Sequence, residues 1–180
     1  GERVAVFGVG GLGMSAIQLA RVFGAMEVYA VDINEEKLRL AAQYGAHPVN
    51  GRLVDPVVEI RKQTNGKGVD VSLELIGLPQ TMRQAVQCLG PLGRAVIAGL
   101  SNKALEIDTY RELLAHEAEI IGSNDHLLQE LPLLVEMTRR GILDTSRIVT
   151  RTIPLDAAPI NGTLDQLEQF GSDIRTVIVP

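Results

Sequence analysis

The sequence predicts a doubly wound α/β domain: a parallel sheet of six strands with helices on both faces. Three observations predict it. Short, continuously apolar segments alternate with helical segments about six times along the first 140 residues, and such strands belong to sheets that helical crossovers bury on both faces. The first strand runs directly into a glycine-rich turn, Gly8-Val9-Gly10-Gly11-Leu12-Gly13. An acid, Asp32, closes the second strand 19 positions after Gly13.

Residues 3–7 are short, β-rich and stopped by Gly8, as a buried strand is. From Leu12, apolar residues Ala16, Leu19, Ala20 and Phe23 keep a helical spacing until Gly24. Residues 28–31 form a second strand closing on Asp32. Asn34 is placed to cap the next helix, and Glu35 and Glu36 fall in its first turn, where the helix dipole favours anions. Leu38, Ala41 and Ala42 give that helix an apolar face, and Gly45 ends it. A short strand about Pro48-Val49 precedes a helix over 55–64 and the turn Asn65-Gly66-Lys67-Gly68. Residues 69–76 read as strand and 80–89 as helix. Gly90-Pro91-Leu92-Gly93 then reads as a break, and 94–98 as a strand running into Gly99. Residues 119–122 form a sixth strand. Residues 132–140 form a helix with Pro132 suited to its first turn. The last 35 residues differ: strand 148–153, helix 156–169 and strand 175–179. Ile160, Leu164 and Leu167 share a face of that helix, whose start Pro159 and Gly162 weaken. These strands are surplus to a six-stranded sheet, so the expected division is 1–145 and 146–180.

Composition sets the limits. The 180 residues suit one compact domain, and 46% hydrophobic with 22% charged residues is globular rather than disordered composition. A net charge of −5 lacks the basic face that nucleic acid requires. The single cysteine, Cys88, excludes an intramolecular disulfide and a cysteine-rich zinc site; between Val86 and Leu89 on a helix, it reads as a core thiol. No apolar run reaches the roughly 18 residues of a membrane span, and no signal peptide is visible, so a cytoplasmic protein is expected. The chain opens on Gly1 just before its first strand, from which a piece of a longer protein is expected.

The chemistry concentrates in the glycine turn and its acid. Gly8 lets the chain turn sharply, Gly10 lets backbone approach a pyrophosphate, and Gly13 lets helix pack on strand. The helix N-terminus then offers its unpaired N–H groups to phosphate. The alternative is a tight strand–helix turn with no ligand. Asp32 can accept from both hydroxyls of an adenosine ribose, whereas a 2′-phosphate would meet a like charge. At ~4 Å and an effective dielectric of ~20 that contact costs about 4 kcal/mol, so NAD is expected over NADP by ~100-fold or more. No arginine follows Asp32 directly; Lys37, one turn on, is as readily a solvated lysine as a cofactor contact. His47, His116 and His126 share no metal-ligand spacing. His116 sits in an acidic, solvated stretch. His126, past the sixth strand, is a candidate for substrate or subunit contact.

The glycine turn, Val31-Asp32-Ile33-Asn34-Glu35-Glu36-Lys37-Leu38 and Gly45-Ala46 resemble the zinc-dependent alcohol dehydrogenases of the medium-chain dehydrogenase/reductase superfamily. Glu74-Leu75-Ile76-Gly77, the 90–93 turn, Val96-Ile97-Ala98-Gly99-Leu100 and Ile174-Arg175-Thr176-Val177 fall in the same order. The last is the most specific, because general Rossmann domains lack it. The resemblance implies a Rossmann domain in which Asp32 and Lys37 hold the adenosine ribose and Ile33 and Ile76 sandwich the adenine. Leu12 would lie beside the pyrophosphate and nicotinamide, and backbone near Gly99 and Leu100 would meet the carboxamide. Arg175 would pair its planar fork with the pyrophosphate. Without the resemblance, Ile33 and Ile76 read as packing and Arg175 as a surface charge.

The resemblance further implies NAD-dependent hydride transfer between an alcohol and its carbonyl. It places the catalytic zinc and proton relay in an N-terminal half absent from this chain, and the C-terminal strands with that catalytic part. No catalytic residue or metal ligand is therefore named here, and these residues alone should turn over little or no substrate. Relatives of this kind pair edge to edge through the sixth strand, so a homo-oligomer through the edge near Ile120-Ile121 is expected. The competing expectations are a zinc-free, NADPH-dependent quinone or enoyl reductase, a non-enzymatic nucleotide-sensing module and, more remotely, a methyltransferase.

Overall fold

The structure, a computed structural model, describes residues 1–125, 127–169, 171 and 173–180. The expected alternation forms β1 (Arg3–Phe7), α1 (Gly11–Val22), β2 (Glu27–Asp32), α2 (Glu35–Gln43), β3 (His47–Asn50), α3 (Pro56–Gln63), β4 (Val69–Glu74), α4 (Pro79–Gln87), β5 (Leu89–Ile97) and β6 (Glu119–Gly122). Then follow α5 (Leu131–Arg139), β7 (Val149–Pro154), α6 (Ala157–Glu168) and β8 (Arg175–Val179). Strands β1 to β6 make one sheet in the order β3-β2-β1-β4-β5-β6, and every pairing in it is parallel.

Strand alternation explains the two layers. Val4 and Val6 of β1 face one side and join Met14 and Ile17 of α1 and Leu38 and Ala41 of α2 in one core. Ala5 and Phe7 face the other and join Ile60 of α3 and Ala85 and Val86 of α4 in a second. The order reverses between β1 and β4, where Phe7 pairs with both Val31 and Glu74. That register brings the ends of β1, β2 and β4 to one edge, the crevice where open parallel sheets receive ligands.

Helix starts follow the expected chemistry. Asn34 Oδ1 accepts from the N–H groups of Glu36 and Lys37, at 3.0 and 3.2 Å. Asp55 caps α3 through Val57 and Val58, and Asp156 caps α6 through Ala158. Two local expectations are corrected. Gly90–Gly93 does not separate a helix from a strand: β5 already begins at Leu89, and the four residues bulge within it, with Leu92 at φ +59. Both glycines serve close approach, since a Cβ on Gly90 would lie 2.5 Å from the Lys67 carbonyl and one on Gly93 2.9 Å from that of Gly90. Likewise β4 stops at Glu74 instead of 76, because the Glu74 side chain draws the N–H groups of Ile76 and Gly77 out of the ladder. The link from β5 to β6 carries a π-helical turn, Thr109–Leu113, and a 3₁₀ turn, Leu114–His116.

Strands β7 and β8 pair in parallel as a separate two-stranded sheet. Their unit is nevertheless tied to the main sheet. Ile148 and Ile174, just ahead of the two strands, are 6% and 9% exposed and belong to the α1–α2 core. Among the described residues no helix is long and apolar enough to cross a membrane.

Candidate functional site

The crevice is built around the end of β1. Gly8, at φ +92, turns the chain out of the sheet while its N–H stays bonded to the Val31 carbonyl at 2.8 Å. The first helical N–H acceptor of α1 is the Gly10 carbonyl, bonded by Met14 at 2.9 Å. Gly10 has no side chain to cap the helix, and no acid lies in its first turn. The leading N–H groups of α1 are therefore left to whatever sits beyond the turn.

The glycines divide by what a side chain would meet. A Cβ on Gly13 would lie 2.0 Å from the Gly8 carbonyl oxygen, so Gly13 is demanded by helix–strand packing. A Cβ on Gly11 would lie 2.9 Å from a terminal nitrogen of Arg175, whose guanidinium reaches over the turn from the start of β8. A Cβ on Gly10 would meet nothing within 4 Å. The chain thus sets a cation over the start of α1 and leaves open space above Gly10. Among the described residues, the Arg175 guanidinium makes no hydrogen bond or ion pair.

Asp32 does more than the sequence suggests. Its Oδ2 accepts from the Val9 N–H at 2.8 Å, and its Oδ1 accepts from the N–H groups of Ile33 and Asn34 at 2.8 and 2.9 Å. The acid thus fixes the glycine turn and the entry to α2 together. A carboxylate has about four lone-pair sites, so roughly one is left for a ligand, fewer than the two ribose hydroxyls expected of it. Lys37 is half-buried and, among the described residues, forms no ion pair.

Apolar side chains stand open around the same crevice: Ile33 is 39% exposed, Leu12 63% and Leu100 86%. Ile76 is half-buried and packs over Gly8, its Cγ1 2.6 Å from where a Cβ would stand. A cleft of about 460 Å³ opens at the Asp32 side, lined by Ile33, Asn34, Glu36, Arg52 and Leu53 among others. A second, of about 450 Å³, opens at the ends of β4 and β5, lined by Gly77, Leu78, Leu100, Ser101, Asn102 and Lys103.

The residue that sequence reasoning missed is Glu74, which entered only as part of the resemblance. It is wholly buried. Its Oε1 accepts from the N–H groups of Ile76 and Gly77 at 3.1 and 3.0 Å and from the Thr81 hydroxyl at 2.7 Å. Its carbonyl accepts from the N–H groups of Ala98 and Gly99. A Cβ on Gly99 would fall 2.5 Å from Glu74 Oε2 and 2.2 Å from the Gly77 nitrogen. Glu74 therefore clamps the Ile76 loop to the Gly99–Leu100 loop. The available signal was an acid ending an apolar strand, with a glycine three residues on and a threonine seven on.

The remaining candidates lie elsewhere. His47 opens β3, its ring 5.3 Å from that of Tyr29, and His116 is half-buried in the 3₁₀ turn. His126 lies outside the described residues. Cys88 is buried, donates to the Ala85 carbonyl, and burial pushes its thiol up to about 12. Strand β6 is the sheet edge, with Ile120 and Ile121 exposed. Among the described residues no three of His, Cys, Asp and Glu come together to hold a metal. A dinucleotide does fit: open backbone over Gly10, a cation over Gly11 and an oriented acid at Asp32.

Comparison with known proteins bears on the same chemistry. The profile of the zinc-binding dehydrogenases matches residues 11–138. The S-(hydroxymethyl)glutathione dehydrogenase of Synechocystis sp. is 35% identical over 99% of this chain and 49% of its own length. The (R,R)-butanediol dehydrogenase of Bacillus subtilis is 33% identical over 87% of this chain and 44% of its own. Among solved structures, the alcohol dehydrogenase of Aeropyrum pernix covers all of this chain with 50% of its own, at a TM-score of 0.89 and 34% identity. A Sinorhizobium meliloti protein described as a zinc-binding dehydrogenase, solved with NADP bound, covers all of this chain with 53% of its own, at 0.88 and 27%. The chain spans about half the length of the relatives it matches. The profile match over residues 11–138 and the 35% and 34% identities across essentially the whole chain show that it belongs to the zinc-binding dehydrogenase family, as a nucleotide-cofactor-binding domain of the medium-chain type.

Proposed function

We propose that this chain binds NAD(H) in preference to NADP(H) and holds it for hydride transfer between an alcohol and its carbonyl compound. The catalytic zinc would be held by residues outside this chain. The observation that carries the reading is the arrangement along α1: Asp32 braced against the turn, open space at Gly10 and the Arg175 guanidinium over Gly11. The N–H groups opening α1 and the Arg175 fork would pair with the pyrophosphate, a bidentate geometry arginine supplies. The free lone pair of Asp32 would accept one ribose hydroxyl, with Lys37 beside it. Ile33 and Ile76 would cover the adenine, Leu12 would lie beside the pyrophosphate and nicotinamide, and backbone at Gly99 and Leu100 would meet the carboxamide. When bound, the nicotinamide supplies the hydride chemistry; this chain's part is binding and orientation.

On this reading residues 1–145 are the coenzyme domain. The β7–α6–β8 unit (146–180) returns to the catalytic part, and copies pair through the β6 edge in a cytoplasmic protein. The competing reading is an NADPH-dependent reductase domain, which Lys37, without an ion pair among the described residues, and the NADP-bound relative favour. Fluorescence titration with NADH and NADPH separates the two. NADH should bind ~100-fold more tightly, and Asp32→Ala should abolish the difference. Equal or tighter NADPH binding by the unaltered protein would sink the NAD reading. Alcohol oxidation measured with these 180 residues alone should be negligible.

A further inference from the structure

We propose that Gln18 is a positioning residue for Arg175: it sets the β7–β8 unit on α1 at the place from which the guanidinium reaches the glycine turn. The proposal rests on the reading above, in which Arg175 meets the cofactor pyrophosphate.

Gln18 is a buried amide, 8% exposed, on a helix whose other buried side chains are apolar. A buried amide is costly unless both its arms are bonded. Both arms of Gln18 go to one residue, 126 positions later in the chain. Its Nε2 donates to the Asp144 carbonyl at 3.0 Å, and its Oε1 accepts from the Asp144 N–H at 2.7 Å. The Tyr44 hydroxyl, from the end of α2, reaches the same carbonyl at 3.4 Å. An apolar side chain here would tolerate the loop in several registers. A bonded amide accepts only the one that presents an N–H and a carbonyl to it together.

The consequence runs along one face of α1. Gly11 and Gln18 are seven residues apart, two helical turns, so they share a face with about 10 Å between them along the axis. Gln18 holds Asp144 on that face, and Arg175 lies over Gly11 on it. Between the two straps, Ile148 and Ile174 enter the core that holds Met14 and Ile17. The Ile174 N–H is bonded to Thr150 Oγ1 at 3.0 Å, and Val149 pairs with Arg175. The path from the Gln18 amide to the guanidinium is thus short: Asp144, Ile148, the β7–β8 ladder, Arg175. Sliding the 144–148 loop would carry Arg175 away from the turn.

The test is a double-mutant cycle read by NADH titration at several salt concentrations, on the unaltered protein, Gln18→Leu, Arg175→Ala and the double variant. Gln18→Met, closer to glutamine in length, replaces Gln18→Leu if the latter fails to fold. Losing a charge-assisted pair, Arg175→Ala should weaken NADH about 10- to 100-fold and flatten the salt dependence, because a screened ionic contact has gone. Gln18→Leu should weaken NADH about 3- to 10-fold, flatten the salt dependence in the same way, and cost nothing further in the Arg175→Ala background. Effects that multiply, or a salt slope unchanged in Gln18→Leu, would overturn the proposal and leave Gln18 a structural tether. Undiminished NADH binding by Arg175→Ala would overturn the pyrophosphate role of Arg175, and the proposal with it. Failure of the unaltered protein to bind either nucleotide would overturn the functional reading itself.

Discussion

Gly10 and Gly13 sit three residues apart in one motif, yet they should fail in opposite ways when given a methyl group. At Gly13 the new Cβ would lie 2.0 Å from the Gly8 carbonyl oxygen, about 1.4 Å inside the 3.4 Å at which ordinary contact begins. The obstacle is backbone, so α1 has to back away from β1 and loosen the core it shares with Val6. Alanine's better helix propensity returns only about 1 kcal/mol. Overpacking of this kind costs about 1–3 kcal/mol, more when backbone is the obstacle, so Gly13→Ala should lose about 2 kcal/mol net. For a chain of this size that lowers Tm by about 4–8 °C. At Gly10 the same methyl meets nothing within 4 Å, and the backbone is extended (φ −78°, ψ −158°), without the positive φ that calls for glycine. Gly10→Ala should hold or raise Tm, gaining up to about 1 kcal/mol from the less flexible unfolded chain, while NADH affinity falls at least tenfold. Calorimetry and NADH titration on the two variants give four numbers with opposite patterns. A fall in Tm for Gly10→Ala, or an unchanged Tm for Gly13→Ala, would refute the division between a glycine kept for packing and one kept for a ligand.

Two further predictions concern acids, one wholly buried and one half-buried. Glu74→Leu strips the acceptor from the N–H groups of Ile76 and Gly77 and from the Thr81 hydroxyl. At about 1–3 kcal/mol for each buried donor left unpaired, it should destabilise by at least about 2 kcal/mol in urea unfolding; a neutral result would show that Glu74 does not hold the two loops. Burial alone would raise the Glu112 carboxyl, but hydrogen bonds from Gln87 and Arg83 outweigh it and hold the group below its usual 4.5. A depressed folded-state value means that this stabilisation is present above pH 4.5 and is lost as pH falls through the lower folded value. The urea midpoint should therefore drop on acidification below pH 4.5, and less steeply in Glu112→Gln; parallel profiles would remove Glu112 from the account.

The fold was legible because its signals are local and agree with one another. Apolar runs, capping residues such as Asn34, and stops such as Gly24 and Gly45 all act within a few residues. Where interactions span the chain, the reading fell short. Asp32 carried its signal in its position, but its bonds to Val9, Ile33 and Asn34 depend on how β1 and β2 register. Glu74 looked like one acid among others, because its partners become neighbours only when the ends of β4 and β5 meet. Gly90 and Gly93 read as a break, since nothing local says that the chain before and after them joins one strand. Arg175 could be linked to the turn only through resemblance, being 164 positions from Gly11 in sequence and within contact of it in space.

The bracing of Asp32 bears on how its contribution should be dissected. Its carboxylate is oriented before any nucleotide arrives, which spares the ~0.5–1.5 kcal/mol that ordering a free side chain would cost on binding. The same bracing makes Asp32→Ala a composite change: it removes the proposed ribose acceptor, the negative charge and the partner of the Val9 N–H at once. Asp32→Asn separates charge from part of the bracing, because the amide oxygen can keep either the Ile33 and Asn34 donors or the Val9 donor while the charge is gone. If repulsion of a 2′-phosphate by that charge sets the proposed preference, Asp32→Asn should give most of the gain in NADPH affinity expected of Asp32→Ala, with a smaller loss of NADH affinity. If Asp32→Asn leaves NADPH as weakly bound as in the unaltered protein, charge is not the discriminating element. The preference would then lie in the shape of the turn that Asp32 holds through Val9.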